Sequence, residues 1–272
     1  MVNSASQTEL EQALAVHEPD RYVATFFAPG PVRQHLIALY AFDLEIARLA
    51  YTIREPMVGQ IRLAWWREQV DAIYAGRPVF APVVVALAPA VTTHKLPREL
   101  FDAYIDARAQ DLHEQPFDDE KAIRDYACCV HGALFKLAAR ILGAEHRADG
   151  ASDLAGNAWN FAVVLREMAH WRKHRRCRLP VSWLSEARLG VEDFFVERSA
   201  PILLVDRLKG AVRGALHELN AKRFPRRAMP ALAPATCLRW EAGAHFDPLQ
   251  PSNMPTWQRV ARISLSQLLW RV

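Results

Sequence analysis

Apolar residues recur at three- and four-residue intervals along almost the whole 272-residue chain, and a proline or glycine marks most of the breaks. That rhythm predicts helices, and no stretch alternates apolar and polar residues as a half-buried strand would. Helices are expected over 7–16, over 21–28 with Asp20 as cap, over 32–51 and over 57–74. Asp118 and Asp119 precede a long helix over 120–142 that Gly143 ends, and another is expected over 152–173. Helices at 181–188, 191–198, 201–222 and 256–270 complete the chain. The Val83-Val84-Val85 run reads as a strand in isolation, but Pro82 and Pro89 and its helical neighbours favour a short packed helix over 79–90. Leu96-Pro97-Arg98 opens the next helix, with Pro97 suited to a first turn. Long helices joined by short turns give an all-α, single-domain bundle over 1–272. Residues 1–19 are expected to be loose, and 224–255 to form an irregular connection.

A hydrophobic content of 51% supports a sizeable core. No apolar run reaches the length of a membrane span. The N-terminus lacks the basic-then-apolar form of a signal peptide, and the four cysteines show no paired spacing. A soluble cytoplasmic protein is expected. The net charge of +4 is unevenly spread: the nine residues from His170 to Arg178 hold five Lys/Arg and two His. Acidic residues gather between Asp102 and Asp125, including Asp111, Glu114, Asp118, Asp119 and Glu120.

Two segments carry a resemblance. Residues 158–180 read AWNFAVVLREMAHWRKHRRCRLP, and residues 38–51 read ALYAFDLEIARLAY. Together they resemble the aspartate-rich motifs of the squalene/phytoene synthase family, which implies the isoprenoid synthase fold with a central cavity. In that family the motif aspartates hold magnesium, which neutralises the diphosphate leaving a prenyl substrate. Magnesium prefers carboxylate oxygens, and carboxylates four residues apart share one helix face. Here the first motif's aspartates fall on Ala47, Arg48 and Tyr51, and the second motif's on Glu167 and Trp171. The resemblance therefore implies a catalytically degenerate member with no metal site and no cofactor. Asp43 and Glu45 stand nearby, but two residues apart, and neither is expected on the face of the lost pair. Tyr40 and Arg166 survive at motif positions, and Asn160 stands where the family has glutamine. Those three imply a retained ligand cavity, although a helix kept for packing would hold them equally.

Further resemblance narrows the branch. Ala41-Phe42-Asp43-Leu44-Glu45-Ile46-Ala47, the Trp65-Trp66 helix, the basic segment ending in Leu179-Pro180, and Phe246-Asp247 with Pro251 are similar to segments of a branch containing a mitochondrial complex I assembly factor. This implies an assembly or interaction role with respiratory complex I subunits, at the inner face of an energy-transducing membrane. Arg172, Lys173, Arg175, Arg176 and Arg178 then become candidates for contact with a partner or membrane, though a charge run can also be a solvated face. Trp171 is either an interfacial anchor or a plug for the former active-site mouth. Trp65 and Trp66 read as core packing. Two other functions stay open: a magnesium-dependent prenyl-diphosphate transferase using Glu167, Asp43, Glu45 or Asp111, and an isoprenoid or lipid carrier. His113, His131 and His245 have no metal-ligand spacing, and Cys128 and Cys129 face different ways. No phosphate-binding loop or nucleophile elbow occurs, and no nucleic-acid module accompanies the basic run.

Overall fold

Prolines set the frame. They stand in the first turn of several helices, where the missing N–H costs nothing and the fixed φ suits the helix. The computed structural model describes residues 4–113, 115–196 and 200–272. In order its helices are α1 (Ser4–His17), α2 (Pro19–Thr25), α3 (Gly30–Ala47), α4 (Leu49–Thr52), α5 (Pro56–Tyr74), α6 (Pro82–His94), α7 (Arg98–Arg108), α8 (Glu120–Ala127), α9 (Ala133–Ile141), α10 (Asp149–Lys173), α11 (Val181–Glu186), α12 (Val191–Val196), α13 (Ile202–Ala221), α14 (Met229–Leu232) and α15 (Thr256–Leu269). Among the described residues the only β-type pairing is an isolated bridge between Phe117 and Pro180. Glu114 and the expected end of α12, Glu197 and Arg198, lie outside the described residues.

Several local expectations need correction. Asp20 does not cap α2: Glu18 is the N-cap residue, and Asp20 is buried within the first turn, where it pairs with Arg259 of α15. The helix expected over 32–51 breaks at Arg48 into α3 and α4, and the one over 120–142 is interrupted by a π turn at Cys128–Gly132. Residues 4–17 are helical, with Leu14 fully buried and α1 packed on α3. The connection over 224–255 includes two 3₁₀ segments around α14, and Ala231, Leu232 and Leu238 in it are fully buried.

Helix α10 is the axis of the bundle. Every residue from Ala155 to Ala162 is buried, so this stretch has no solvent face and behaves as a core helix. It lies against α13, α9, α8 and the π turn. Gly156 makes the last contact possible: a Cβ there would sit 2.3 Å from the Gly132 nitrogen. The backbones touch, and the π turn swings His131 inward. Asp119 caps α8 by accepting from the Ala122 N–H at 2.8 Å.

Candidate functional site

The packing of α3, α7, α8, α10 and the π turn leaves a central cavity of about 400 Å³. Apolar side chains (Leu44, Val163, Val164, Trp159) line part of it, and a buried chain of charges lines the rest.

That chain alternates in sign. Arg21 of α2 donates to Asp43 Oδ2 at 2.6 Å, and Arg108 of α7 donates to Asp43 Oδ1 at 2.7 Å. The Tyr104 hydroxyl also donates to Asp43. Arg108 bonds Asp111 Oδ2 at 2.9 Å, and Arg178 approaches Asp111 Oδ1 at 2.6 Å, where the Tyr126 hydroxyl donates too. Three guanidiniums thus clamp two carboxylates. Burial pushes both carboxyls up, but the flanking arginines outweigh it: Asp43 ends well below the usual range and Asp111 near about 2. Both are ionised and fully engaged. His131 faces the same cations, and burial together with Arg108 pushes its imidazole down to about 3, so it is neutral.

The other motif positions meet at the opposite wall. Ala47 lines the cavity at the end of α3, and Arg48 sits at the break beyond it, half-exposed and paired with Glu45 at 3.4 Å. Tyr51 stacks against Trp171, with ring centroids 4.8 Å apart. Positions that resemble two facing aspartates therefore hold an aromatic pair. Glu167 accepts from Trp171 Nε1 at 2.9 Å and is hydrogen-bonded to Tyr51, while burial raises its carboxyl. Trp171 acts as a plug here, 6% exposed.

Asp43 requires a correction. It lies four residues before Ala47, so the two share a helix face and both line the cavity, contrary to the sequence expectation. Its carboxylate is nevertheless occupied by Arg21 and Arg108.

A magnesium cluster does not fit these residues. The four acids that line the cavity are Glu18, Asp43, Asp111 and Glu167. Asp43 and Asp111 are held by arginines, Glu167 by an indole and a phenol, and Glu18 faces Arg21 at 3.7 Å. Among the described residues, no three His, Cys, Asp or Glu side chains converge as a metal set. Arg108 and Arg178 place positive charge in the same space.

The other expected site residues separate. Asn160 lines the cavity, 3% exposed, and its Nδ2 lacks a partner, as does the Nδ1 of His131 beside it. Tyr40 is buried behind the wall with its hydroxyl unpartnered, its ring beside Arg21. Arg166 turns away and binds Glu241 through two bonds of 2.9 and 2.6 Å, tying α10 to the segment before α15.

The five cations of the basic run do not form one surface. Arg172 is buried against Phe194. Arg176 donates to the carbonyls of Ala50 and Asp111, and Arg178 completes the charge chain. Lys173 and Arg175 are exposed, and Arg175 pairs with Glu192. The run is largely a latch that closes one side of the cavity. Arg21 and Arg108 escaped the sequence reading. The signal available was an arginine three residues before an aspartate, Arg108 and Asp111, at the end of an amphipathic helix.

A family model described as squalene/phytoene synthase matches residues 14–240. The bovine NADH dehydrogenase (ubiquinone) complex I assembly factor 6 is 27% identical over 235 residues, covering 84% of this chain and 70% of that protein. The human form is 27% identical over 184 residues, covering 67% of this chain and 55% of its own length. A phytoene synthase of Cereibacter sphaeroides is 26% identical over 204 residues, covering 71% of this chain and 57% of that enzyme. In structure, the chain superposes on a ligand-bound dehydrosqualene synthase with a TM-score of 0.83 at 15% identity, covering 98% of this chain and 96% of the other. A squalene synthase from Alicyclobacillus acidocaldarius gives 0.70 at 18% identity, with coverage of 97% and 94%. The fold is the all-α isoprenoid synthase bundle.

Proposed function

Because the chain belongs to the squalene/phytoene synthase family, we propose that it is a non-catalytic member, an assembly or interaction factor for respiratory complex I. In this reading it works peripherally at the inner face of the energy-transducing membrane. One observation carries the proposal: all four acidic side chains lining the cavity are engaged by arginines or aromatic donors. Ionising a prenyl diphosphate requires preorganised cations at the leaving group, usually the largest catalytic contribution. Here the carboxylates lining the cavity are already engaged, and Tyr51 and Trp171 fill the gap between the motifs. The likeness to complex I assembly factor 6 supports the choice of partner.

The cavity itself favours a second reading, that of an isoprenoid or lipid carrier. The unpartnered Asn160 Nδ2 and His131 Nδ1 offer hydrogen bonds to a ligand headgroup, and an unsatisfied buried polar atom costs about 1–3 kcal/mol until such a partner arrives.

The test is diphosphate release from farnesyl and geranylgeranyl diphosphate by the purified chain with magnesium. No release is expected. Release that Glu167→Ala abolishes would establish the transferase alternative and end this proposal. A pull-down against complex I subunits follows, and recovery of those subunits is the expected result.

A further inference from the structure

The last helix wears its apolar side outward. In α15 the inner face is Arg259, paired with Asp20, and the buried Ile263 and Ser266, which seat it on α2 and the 3₁₀ segment Ala233–Arg239. The opposite face carries Trp257, Val260, Leu265 and Leu268 at helical spacing, with Leu269 at its margin. They are 70, 42, 53, 76 and 66% exposed. A surface helix normally shows the reverse polarity, and a continuous exposed apolar stripe marks an interaction site.

Charge selects the partner. No Asp or Glu occurs from 248 to 272 or from 219 to 240, whereas these stretches hold eight Lys and Arg. Lys222, Arg223, Arg226, Arg227 and Arg271 are exposed. The fold gathers them at one end of α15: Arg226 stacks on Trp270, Asn220 accepts from the Val272 N–H at 2.8 Å, and Arg239 reaches the Val272 carbonyl. The acids that border these stretches are Glu218, Glu241, which Arg166 binds, and Asp247. An apolar stripe with a tryptophan and a cationic end matches an anionic bilayer surface, which offers acyl chains and negative headgroups side by side. Fourteen residues are too few to span a bilayer, and among the described residues no helix is long and apolar enough to cross one.

We propose that the outward face of α15 docks on an anionic membrane, lying in the plane of the headgroups. This gives the peripheral element of the proposed function a surface, and it places that surface on α15 rather than on the run from Arg172 to Arg178. It rests on that reading only for which membrane is met.

The test is co-sedimentation of the full chain with vesicles of phosphatidylcholine alone and of equal parts phosphatidylcholine and phosphatidylglycerol. Binding to the mixed vesicles should be about tenfold tighter or more, and should weaken with salt. The double change Leu265→Glu and Leu268→Glu should weaken it about tenfold or more, with helicity and melting temperature unchanged because both side chains are exposed. The double change Lys173→Glu and Arg175→Glu should leave it unaltered. Absence of vesicle binding, or equal binding by the α15 variant, overturns the inference. So does a dimer that this variant dissociates, since a second copy would then cover the stripe. Vesicle binding without recovery of complex I subunits would sink the assembly role and leave this surface standing.

Discussion

Replacing Asp43 with asparagine should be among the most damaging single-atom-scale changes in the chain. Its carboxylate accepts from Arg21, Arg108 and Tyr104, and all four side chains are buried, Arg21 at 1% exposure. Asparagine keeps the shape but removes the charge and turns an N–H₂ toward one guanidinium. Two buried cations then share only Asp111 and the partly buried Glu18 as counter-ions. Removing one member of a buried pair costs about 3–5 kcal/mol, because the survivor is left charged and desolvated. Against a total stability of about 5–15 kcal/mol, that is a large fraction. For a chain of this size each kcal/mol shifts the melting temperature by about 2–4 °C, so a drop of roughly 6–20 °C is expected. Urea unfolding followed by circular dichroism gives the free energy. A second variant, Asp43→Asn with Arg21→Met, should recover part of the loss by removing the stranded cation. A loss under about 1 kcal/mol, or no recovery in the double variant, would refute the claim that the clamp rather than packing holds this wall.

Three further outcomes follow from the geometry. Gly156→Ala should destabilise by about 3 kcal/mol, since its Cβ would meet the Gly132 backbone, which cannot rotate away. Gly150→Ala in the same helix, with nothing within 4 Å, should be neutral or slightly stabilising in parallel thermal melts. His131 is held neutral with its pKa near 3, against about 6.5 unfolded. The unfolded chain thus binds the extra proton first, and stability should fall as pH drops below about 6.5, by at most about 1.4 kcal/mol per unit. Glu18 and Glu167, whose carboxyls burial raises, work in the opposite sense. The difference between wild type and His131→Gln across pH 5–6.5 isolates the histidine, and equal slopes would contradict the assignment. Finally, Arg178→Ala should cost about 3 kcal/mol by removing one of the two guanidiniums that hold the buried Asp111, whereas Arg175→Glu should stay within about 0.5 kcal/mol. Comparable losses from the two would mean that the latch does not carry the load inferred for it.

The helical period made the bundle legible, because a 3.6-residue apolar repeat is a one-dimensional property of the sequence. The motif residues made its family legible. What remained hidden depended on pairs distant in sequence. Arg21 meets Asp43 across 22 residues, and Arg108 meets it across 65. Neither spacing leaves a local trace. The basic run misled for the same reason. Five cations in nine residues look solvated until Ala50, Asp111, Tyr126 and Phe194 turn out to be the partners of Arg172, Arg176 and Arg178. The π turn was equally invisible, since one extra residue per turn at Cys128–Gly132 does not disturb the composition around it.

On the proposed non-catalytic reading, the charge chain also bears on how such a cavity can do without a metal and keep its fold. Aspartates facing one another around a cavity repel unless cations lie between them, so a bundle without magnesium needs a replacement charge or fewer acids. This chain has both. Arg21, Arg108 and Arg178 supply fixed positive charge between Asp43 and Asp111, and Ala47, Tyr51 and Trp171 remove acids at the motif positions. The two substitutions reinforce each other. With the arginines in place, a returning divalent cation would meet guanidinium repulsion and carboxylates already hydrogen-bonded. With the aromatic pair in place, it would also find no first-motif ligand. On that reading, aspartate placed at Tyr51 or Trp171 alone should leave a divalent cation unbound in a calorimetric titration, because the buried arginines cannot shed their charge. The synthase architecture persists here as packing around an internal salt-bridge chain.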